Sequence, residues 1–230
     1  MKINLLITGG LGYIGSFTAK NILARSKKKT YVIDDLSRGN NFAKKYSNYK
    51  LLNVSEKKTQ KFIKNKKINT ILHLAALTCV RESINNKKKY YKNFKTQLKF
   101  IKLLKKTNVK YFIFSSSLSV FEGNKLKKNL SPYSNYKLKL ERSLKKISSK
   151  NLKVIVLRYP NIVGSDPSGK LGEKNKFISR IVPFFYKNIL KNKKNLLFYD
   201  FKKKVYPQRS YMHVSDVSNI NINIINNYKK

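Results

Sequence analysis

A chain of 230 residues that is 41% hydrophobic can bury one sizeable α/β core, which excludes both a mini-protein scaffold and a long multidomain chain. Against 52 Lys plus Arg stand only 10 Asp plus Glu, a formal charge of +42 that first suggests a nucleic-acid binder. Only seven of those cations are Arg, and the lysines are scattered among Asn, Ile, Tyr and Phe along the whole length, which argues against a specific nucleic-acid reader and for compositional drift on a solvated surface.

In chain order, short apolar runs alternate with longer lysine-studded segments. Strands are expected at Ile3 to Thr8, Thr30 to Asp34, Tyr49 to Leu52, Thr70 to Leu74, Tyr111 to Ser115 and Lys153 to Leu157. Helices are expected near 13 to 26, 56 to 66, 83 to 106 and 131 to 149. This alternation predicts a Rossmann-type α/β fold, a doubly wound parallel sheet covered on both faces. After Arg158, Pro160, Gly164, Pro167, Gly169 and Gly172 crowd together before an expected helix at 175 to 190, marking a change of architecture. The division expected is a first domain over 1–158 and a small second part over 159–230.

Lys2 and the apolar run Ile3 to Ile7 are broken at once by Thr8, Gly9 and Gly10, so no signal-peptide core is expected. No stretch approaches the ~18 apolar residues a membrane span needs. A lone cysteine, Cys79, and the lack of any metal-ligand spacing point to a reducing cytoplasm and to no metal. Cys79 is expected to be inert, His73 to be a satisfied core residue, and His213 to serve packing or a backbone hydrogen bond. Lys87 to Lys89 and Lys202 to Lys204 are expected on solvated faces.

The most specific local feature is the run from Thr8 to Gly15, in which Gly9, Gly12 and Gly15 fall three apart between a buried strand and a helix. Glycine permits the tight turn and lets backbone N–H groups approach a pyrophosphate at the positive end of the helix. A second strand ends in Asp34, where an acidic side chain can accept the adenosine ribose hydroxyls and repel the extra phosphate of NADP. NAD is therefore the expected cofactor, with Arg38 softening the discrimination. Downstream, the strand from Tyr111 runs into Ser115, Ser116 and Ser117, and Tyr133 and Lys137 follow four residues apart on one face of a helix. Tyr133 is the expected acid or base, Lys137 is expected to lower its phenol pKa, and Ser117 completes the set.

Motif after motif, the residues resemble the extended short-chain dehydrogenase/reductase family in its nucleotide-sugar 4-epimerase branch. The resemblance rests on Thr8-Gly9-Gly10-Leu11-Gly12-Tyr13-Ile14-Gly15-Ser16, on His73 to Leu77, on Tyr90 to Asn93, on Phe112 to Ser117 and on Ser131-Pro132-Tyr133. It continues through Leu157 to Tyr159, Asn161, Val163-Gly164, Pro167-Ser168-Gly169-Lys170-Leu171-Gly172-Glu173 and Arg209 to Asp216. It implies NAD-dependent epimerisation at C4 of a UDP-hexose, UDP-glucose or UDP-galactose, through a transient 4-keto sugar. By the same resemblance Gly9, Gly12, Tyr13, Ile14, Gly15, Asp34, Asp35, Leu36, Ser37, Arg38 and Gly39 would line the cofactor site. Asn53, Val54, Leu74, Ala75, Ala76, Leu77, Thr78, Asn93, Tyr133, Lys137 and Pro160 would complete it. Ser117, Tyr133, Asn161 and Arg209 would meet the substrate, Arg209 as a phosphate fork.

Dehydratases of the family need an Asp-Glu pair just after the catalytic Ser or Thr, and here those positions are Leu118 and Ser119. Other departures are Asn53 in place of an adenine-binding acid, Thr78 in place of a lysine, Arg180 in place of a nucleotide-binding asparagine, and Ser134 and Tyr136 beside the catalytic pair. The family continues past the point matching Lys230 through a stretch that supplies a second phosphate-binding arginine. The resemblance thus implies cofactor binding better preserved than turnover, the alternative being a catalytically impaired NAD-binding protein. A homodimer through the helices at 83 to 106 and 131 to 149 is also implied, although two very basic surfaces would meet there.

Overall fold

The structure, a computed structural model, describes residues 2–25, 29–123, 125–173, 180–192 and 209–228. Its centre is a six-stranded parallel sheet made of β1 (Asn4–Thr8), β2 (Lys29–Asp34), β3 (Tyr49–Leu51), β4 (Thr70–His73), β5 (Tyr111–Ser117) and, later in the chain, Lys153–Tyr159. Helices α1 (Tyr13–Arg25), α2 (Lys57–Asn65), α3 (Val80–Asn85) and α4 (Lys87–Leu104) connect the first five strands. A short hairpin, β6 (Phe121–Glu122) and β7 (Lys125–Leu126), precedes α5 (Pro132–Ile147), and the sixth sheet strand is β8. The strand order is β3-β2-β1-β4-β5-β8. The chain builds outward from β1 in one direction and returns to its other side at β4, so the order reverses between β1 and β4. In doubly wound sheets that reversal opens a crevice at the carboxyl ends of the strands, where ligands bind.

The period-two alternation of the strands explains the two cores. Leu5 and Ile7 of β1 pack with Ala19 and Ile22 of α1 on one face. Leu6, with Ile71, Phe112 and Phe114, packs on the other against Ile63, Phe100, Leu104, Leu140 and Leu144. Phe100, Phe112 and Phe114 are among the largest fully buried side chains, each contributing about 2–3 kcal/mol of burial.

All six expected strands form. The helix expected over 83 to 106 is instead two, because Asn86 leaves the helical region at φ −131°, ψ 66°. Its amide N–H closes α3 on the Glu82 carbonyl, and its side-chain oxygen caps α4 through the Lys89 N–H. Asparagine is among the best residues for that junction. Of the helix expected at 175 to 190, α6 (Ile181–Leu190) is described, and residues 175–179 lie outside the described residues, as do Lys202 to Lys204.

Beyond β8 three elements appear that the periodicity did not reveal. β9 (Asn161–Val163) pairs in parallel with β10 (Tyr211–His213), and α7 (Val214–Asn227) follows directly. Three-residue strands are too short to show a period. The many Asn residues of α7 mask a helical apolar stripe of Val214, Val217 and Ile225, of which Ile225 enters the core beside α1.

Candidate active site

The turn after β1 is shaped by glycine. Gly9 has φ +67°, and a Cβ there would lie 2.6 Å from the Ala75 Cα and N, so β4's following loop can approach only a glycine. At Gly15 a Cβ would lie 2.7 Å from the Gly10 Cα, so α1 can start this close to the turn only without a side chain. The Gly9 N–H donates to the Ile33 carbonyl (2.9 Å) and the Gly12 N–H to the Gly9 carbonyl (3.1 Å). The first-turn amides of α1 lack intrahelical acceptors and sit at the positive end of its dipole, a ready anion site.

At the end of β2, Asp34 is buried, and its carboxylate accepts from the Leu11 N–H (3.0 Å) and the Leu36 N–H (2.8 Å). Burial pushes its pKa up, and those two amides pull it back down. A carboxylate has about four lone-pair sites, so two remain for vicinal ribose hydroxyls. Asp35 gathers the Ser37 N–H (3.0 Å), the Ser37 hydroxyl (2.6 Å) and the Asn53 amide (2.9 Å). Asn53 is thus tied to the rim, while Val54 turns into the core. The glycine turn, the α1 amides and Asp34 together fit a dinucleotide.

The second half of the site rises from β5 and α5. Ser131 caps α5 through the Ser134 N–H (3.2 Å), and Pro132 occupies its first turn. Tyr133 and Lys137 then share one face, both buried. The Ser117 hydroxyl accepts from the Ser119 N–H (3.1 Å) and is near enough to the Tyr133 phenol to pull its pKa down. Lys137 Nζ donates to the Ser115 carbonyl (2.6 Å) and lies 4.8 Å from the Phe114 ring centre. A recess beside the pair is lined by Ala76, Leu77, Asn93, Gln97 and Tyr136.

One electrostatic expectation is corrected. Burial pushes the Tyr133 phenol up, and the groups that pull it down are Ser117 and Arg180 rather than Lys137. The lysine has its Nζ committed to the Ser115 carbonyl and over the aromatic faces of Phe114 and Tyr133. Burial in turn lowers Lys137 itself to about 8, against the pull of Glu141.

The remaining expected residues fall around the same crevice. Asn93 accepts from the Leu77 N–H (3.3 Å), pinning the Leu74 to Thr78 loop to α4. Thr78 accepts from Arg180 (3.2 Å), which also pairs with Glu173 (3.3 Å). Tyr13 donates to the Gly164 carbonyl (2.5 Å), linking α1 to the segment after β9. Pro160 separates β8 from β9. Asn161 is exposed, and its N–H and side-chain amide both donate to the Ser210 carbonyl (3.1 and 3.2 Å), so the short β9/β10 sheet brings it next to the exposed Arg209.

Arg38 does not stand beside Asp34 as a lone cation. It is paired with Glu82 of α3. Glu82 and Glu141 are the site-bordering residues that sequence reasoning missed. Glu141 accepts from the Ser116 hydroxyl and from Arg158 (2.7 Å) beneath the catalytic face. The available signal was position: Glu141 continues the Tyr133, Lys137 face by one more helical turn, and both are among the ten acids of a lysine-rich chain.

His73 is buried, bonded to the Thr8 hydroxyl (2.7 Å) and to Gln97, and burial lowers its pKa to about 3, so it is neutral. Cys79 caps α3 through the Glu82 N–H (3.3 Å), and His213 caps α7 through the Ser215 N–H (3.3 Å). Lys87 to Lys89 are exposed. Among the described residues, no helix is long and apolar enough to cross a membrane.

Residues 5–230 match the model of the NAD dependent epimerase/dehydratase family. The chain is 29% identical over 241 residues to the UDP-glucose 4-epimerase of Pasteurella multocida, covering 93% of this chain and 70% of that protein. It is 30% identical over 243 residues to that of Yersinia enterocolitica, covering 94% and 71%. Among solved structures, UDP-glucose 4-epimerase from Brucella ovis in complex with NAD superposes with a TM-score of 0.88 at 25% identity, over 99% of this chain and 74% of that one. The Bifidobacterium longum enzyme in complex with NAD+ and UDP superposes at 0.83 and 25%, over 96% and 73%. With the glycine cradle, Asp34 and the Ser117, Tyr133, Lys137 set around one crevice, and a family match over nearly its whole length, the chain belongs to the NAD dependent epimerase/dehydratase family.

Proposed function

We propose that the protein interconverts UDP-glucose and UDP-galactose by NAD-dependent epimerisation at C4. The observation that carries this reading is the convergence of Ser117, Tyr133 and Lys137 on the crevice opened at the β1/β4 switch point. NAD supplies a reversible hydride acceptor at C4. Gly9, Gly12, Gly15 and the α1 amides bind its pyrophosphate, and Asp34 orients the adenosine ribose. Tyr133 removes the proton from the sugar 4-hydroxyl, and Ser117 hydrogen-bonds the same oxygen. Lys137, held by the Ser115 carbonyl, positions the nicotinamide ribose. The positive charge of Arg180 draws the phenol toward ionisation. With the 4-keto sugar turned over in the pocket, hydride would return to the opposite face of C4 while Tyr133 gives its proton back to the 4-oxygen. Residues from 159 onward supply the substrate side, where Asn161 and Arg209 take the uridine diphosphate.

The names of the relatives favour turnover over a purely cofactor-binding role. A cytoplasmic location fits nucleotide-sugar chemistry. A homodimer through α4 and α5 fits the aromatic cluster between them, in which half-buried Phe94 and Tyr136 stack at 4.8 Å beside the exposed Tyr91. The test is conversion of UDP-galactose to UDP-glucose by the NAD-loaded protein. Failure of that protein to interconvert any UDP-hexose overturns the proposal.

A further inference from the structure

The chain's charge poses a problem for cofactor choice. A protein at +42 attracts anions generally, and NADP carries a further phosphate at the adenosine ribose. The cation nearest that ribose in sequence is Arg38, in the loop that leaves Asp34. The loop is tight: a Cβ on Gly39 would lie 2.7 Å from Asp34 Oδ1, so the backbone one residue after Arg38 runs against the ribose-binding carboxylate. An arginine placed there is chemically suited to take a 2′-phosphate as a fork.

In the structure that fork is engaged from across the crevice. Arg38 Nη2 reaches both carboxylate oxygens of Glu82, 44 residues away on α3. Glu82 is itself fixed: it accepts from Lys89 Nζ (2.8 Å) and the Tyr90 hydroxyl (3.1 Å), and that hydroxyl also accepts from the Cys79 N–H (2.9 Å). Neither partner is fully solvated, with side chains 25% and 18% exposed. The pair therefore acts in a lower effective dielectric than a surface ion pair.

We propose that Glu82 is a specificity-determining residue that keeps this site selective for NAD by engaging Arg38 and neutralising it against a 2′-phosphate. Asp34 repels that phosphate directly, and Glu82 removes the one side chain in the loop able to compensate. Asp34 thus acts on the 2′ position directly, and Glu82 acts on it through Arg38. This inference rests on the cofactor site proposed above.

The experiment measures dissociation constants for NAD and NADP in wild type, Glu82→Gln, Arg38→Ala and the double variant, at fixed ionic strength. Glu82→Gln is expected to improve NADP binding relative to NAD by about tenfold or more, and adding Arg38→Ala is expected to cancel the gain. An unchanged NADP/NAD ratio in Glu82→Gln, or a gain that persists without Arg38, overturns the proposal. If Glu82→Gln no longer binds NAD, Glu82→Ala removes the charge without adding an amide. A rise in the ratio is expected there too, and no rise overturns the proposal. Wild-type protein that binds neither dinucleotide would overturn the cofactor site itself, an outcome distinct from NAD binding with an unmoved ratio.

Discussion

Lys137 lies one helical turn beyond Tyr133, with its Nζ 6.0 Å from the centre of the tyrosine ring and donating to the Ser115 carbonyl at 2.6 Å. The lysine is therefore a fixed charge beneath the reacting tyrosine rather than a hydrogen-bond partner of its oxygen. The side chains that pull the phenol's pKa down are Ser117 and Arg180.

Tyr133→Phe removes the proton acceptor and leaves the ring, so packing is preserved. Turnover is expected to fall by about 10²–10⁴-fold, the usual weight of a general acid-base group. Bound NAD, read by mass spectrometry of the same sample, is expected to be retained.

Burial lowers Lys137 to about 8 from its ordinary 10.5, which fixes the sign of its effect on stability. Below pH 8 both folded and unfolded chains carry the charge, and the folded one bears the whole burial cost. Between about 8 and 10.5 the folded lysine sheds its proton while the unfolded one keeps it, so this group's contribution rises with pH. Lys137→Met is expected to be more stable than wild type at pH 7, by on the order of 3 kcal/mol at most, with the difference shrinking toward pH 10. Urea unfolding at both pH values checks this, and turnover should be lost in the same variant.

Gly15→Ala places a methyl group against Gly10 and the Gly9 carbonyl, all of it backbone with little room to yield. The expected cost is about 1–3 kcal/mol of stability, together with a loss of NAD affinity as the turn and the α1 amides move apart. Thermal unfolding and NAD titration measure the two effects separately.

Asp166 ties the segment after β9 to α1. Burial pushes its carboxyl up, but the Leu171 N–H, Lys20 Nζ (2.8 Å) and the Ser168 hydroxyl outweigh it and hold the pKa at about 2. Its contribution is present above the unfolded value of 3.8 and is lost as the pH falls toward about 2. Asp166→Asn is expected to lose about 1–3 kcal/mol at pH 7, by denaturant unfolding, and to show a smaller difference from wild type at pH 3.

The strands and the cofactor cradle were legible because their signals are local. An apolar run of five or six residues, a glycine turn and an acid at the next strand's end all lie within one βαβ unit. The Tyr133, Lys137 face was legible for the same reason, as a spacing of four on one helix. What escaped depends on pairs far apart in sequence: Arg38 with Glu82, Arg180 with Thr78, and β9 with β10 across 47 residues of chain from Val163 to Tyr211. In a chain with 45 lysines a single acid carries no periodic signal, so the partners chosen by Glu82 and Glu141 emerge only when the fold brings them together. The influence of Lys137 on Tyr133 was misjudged because spacing gives proximity but not where the ammonium points.

The most direct test is native mass spectrometry of the purified protein, followed by incubation of the same sample with UDP-galactose. A mass increment of one NAD per chain, with UDP-glucose appearing in the mixture, is the predicted result. Protein that carries no NAD and binds none when it is supplied would contradict the account.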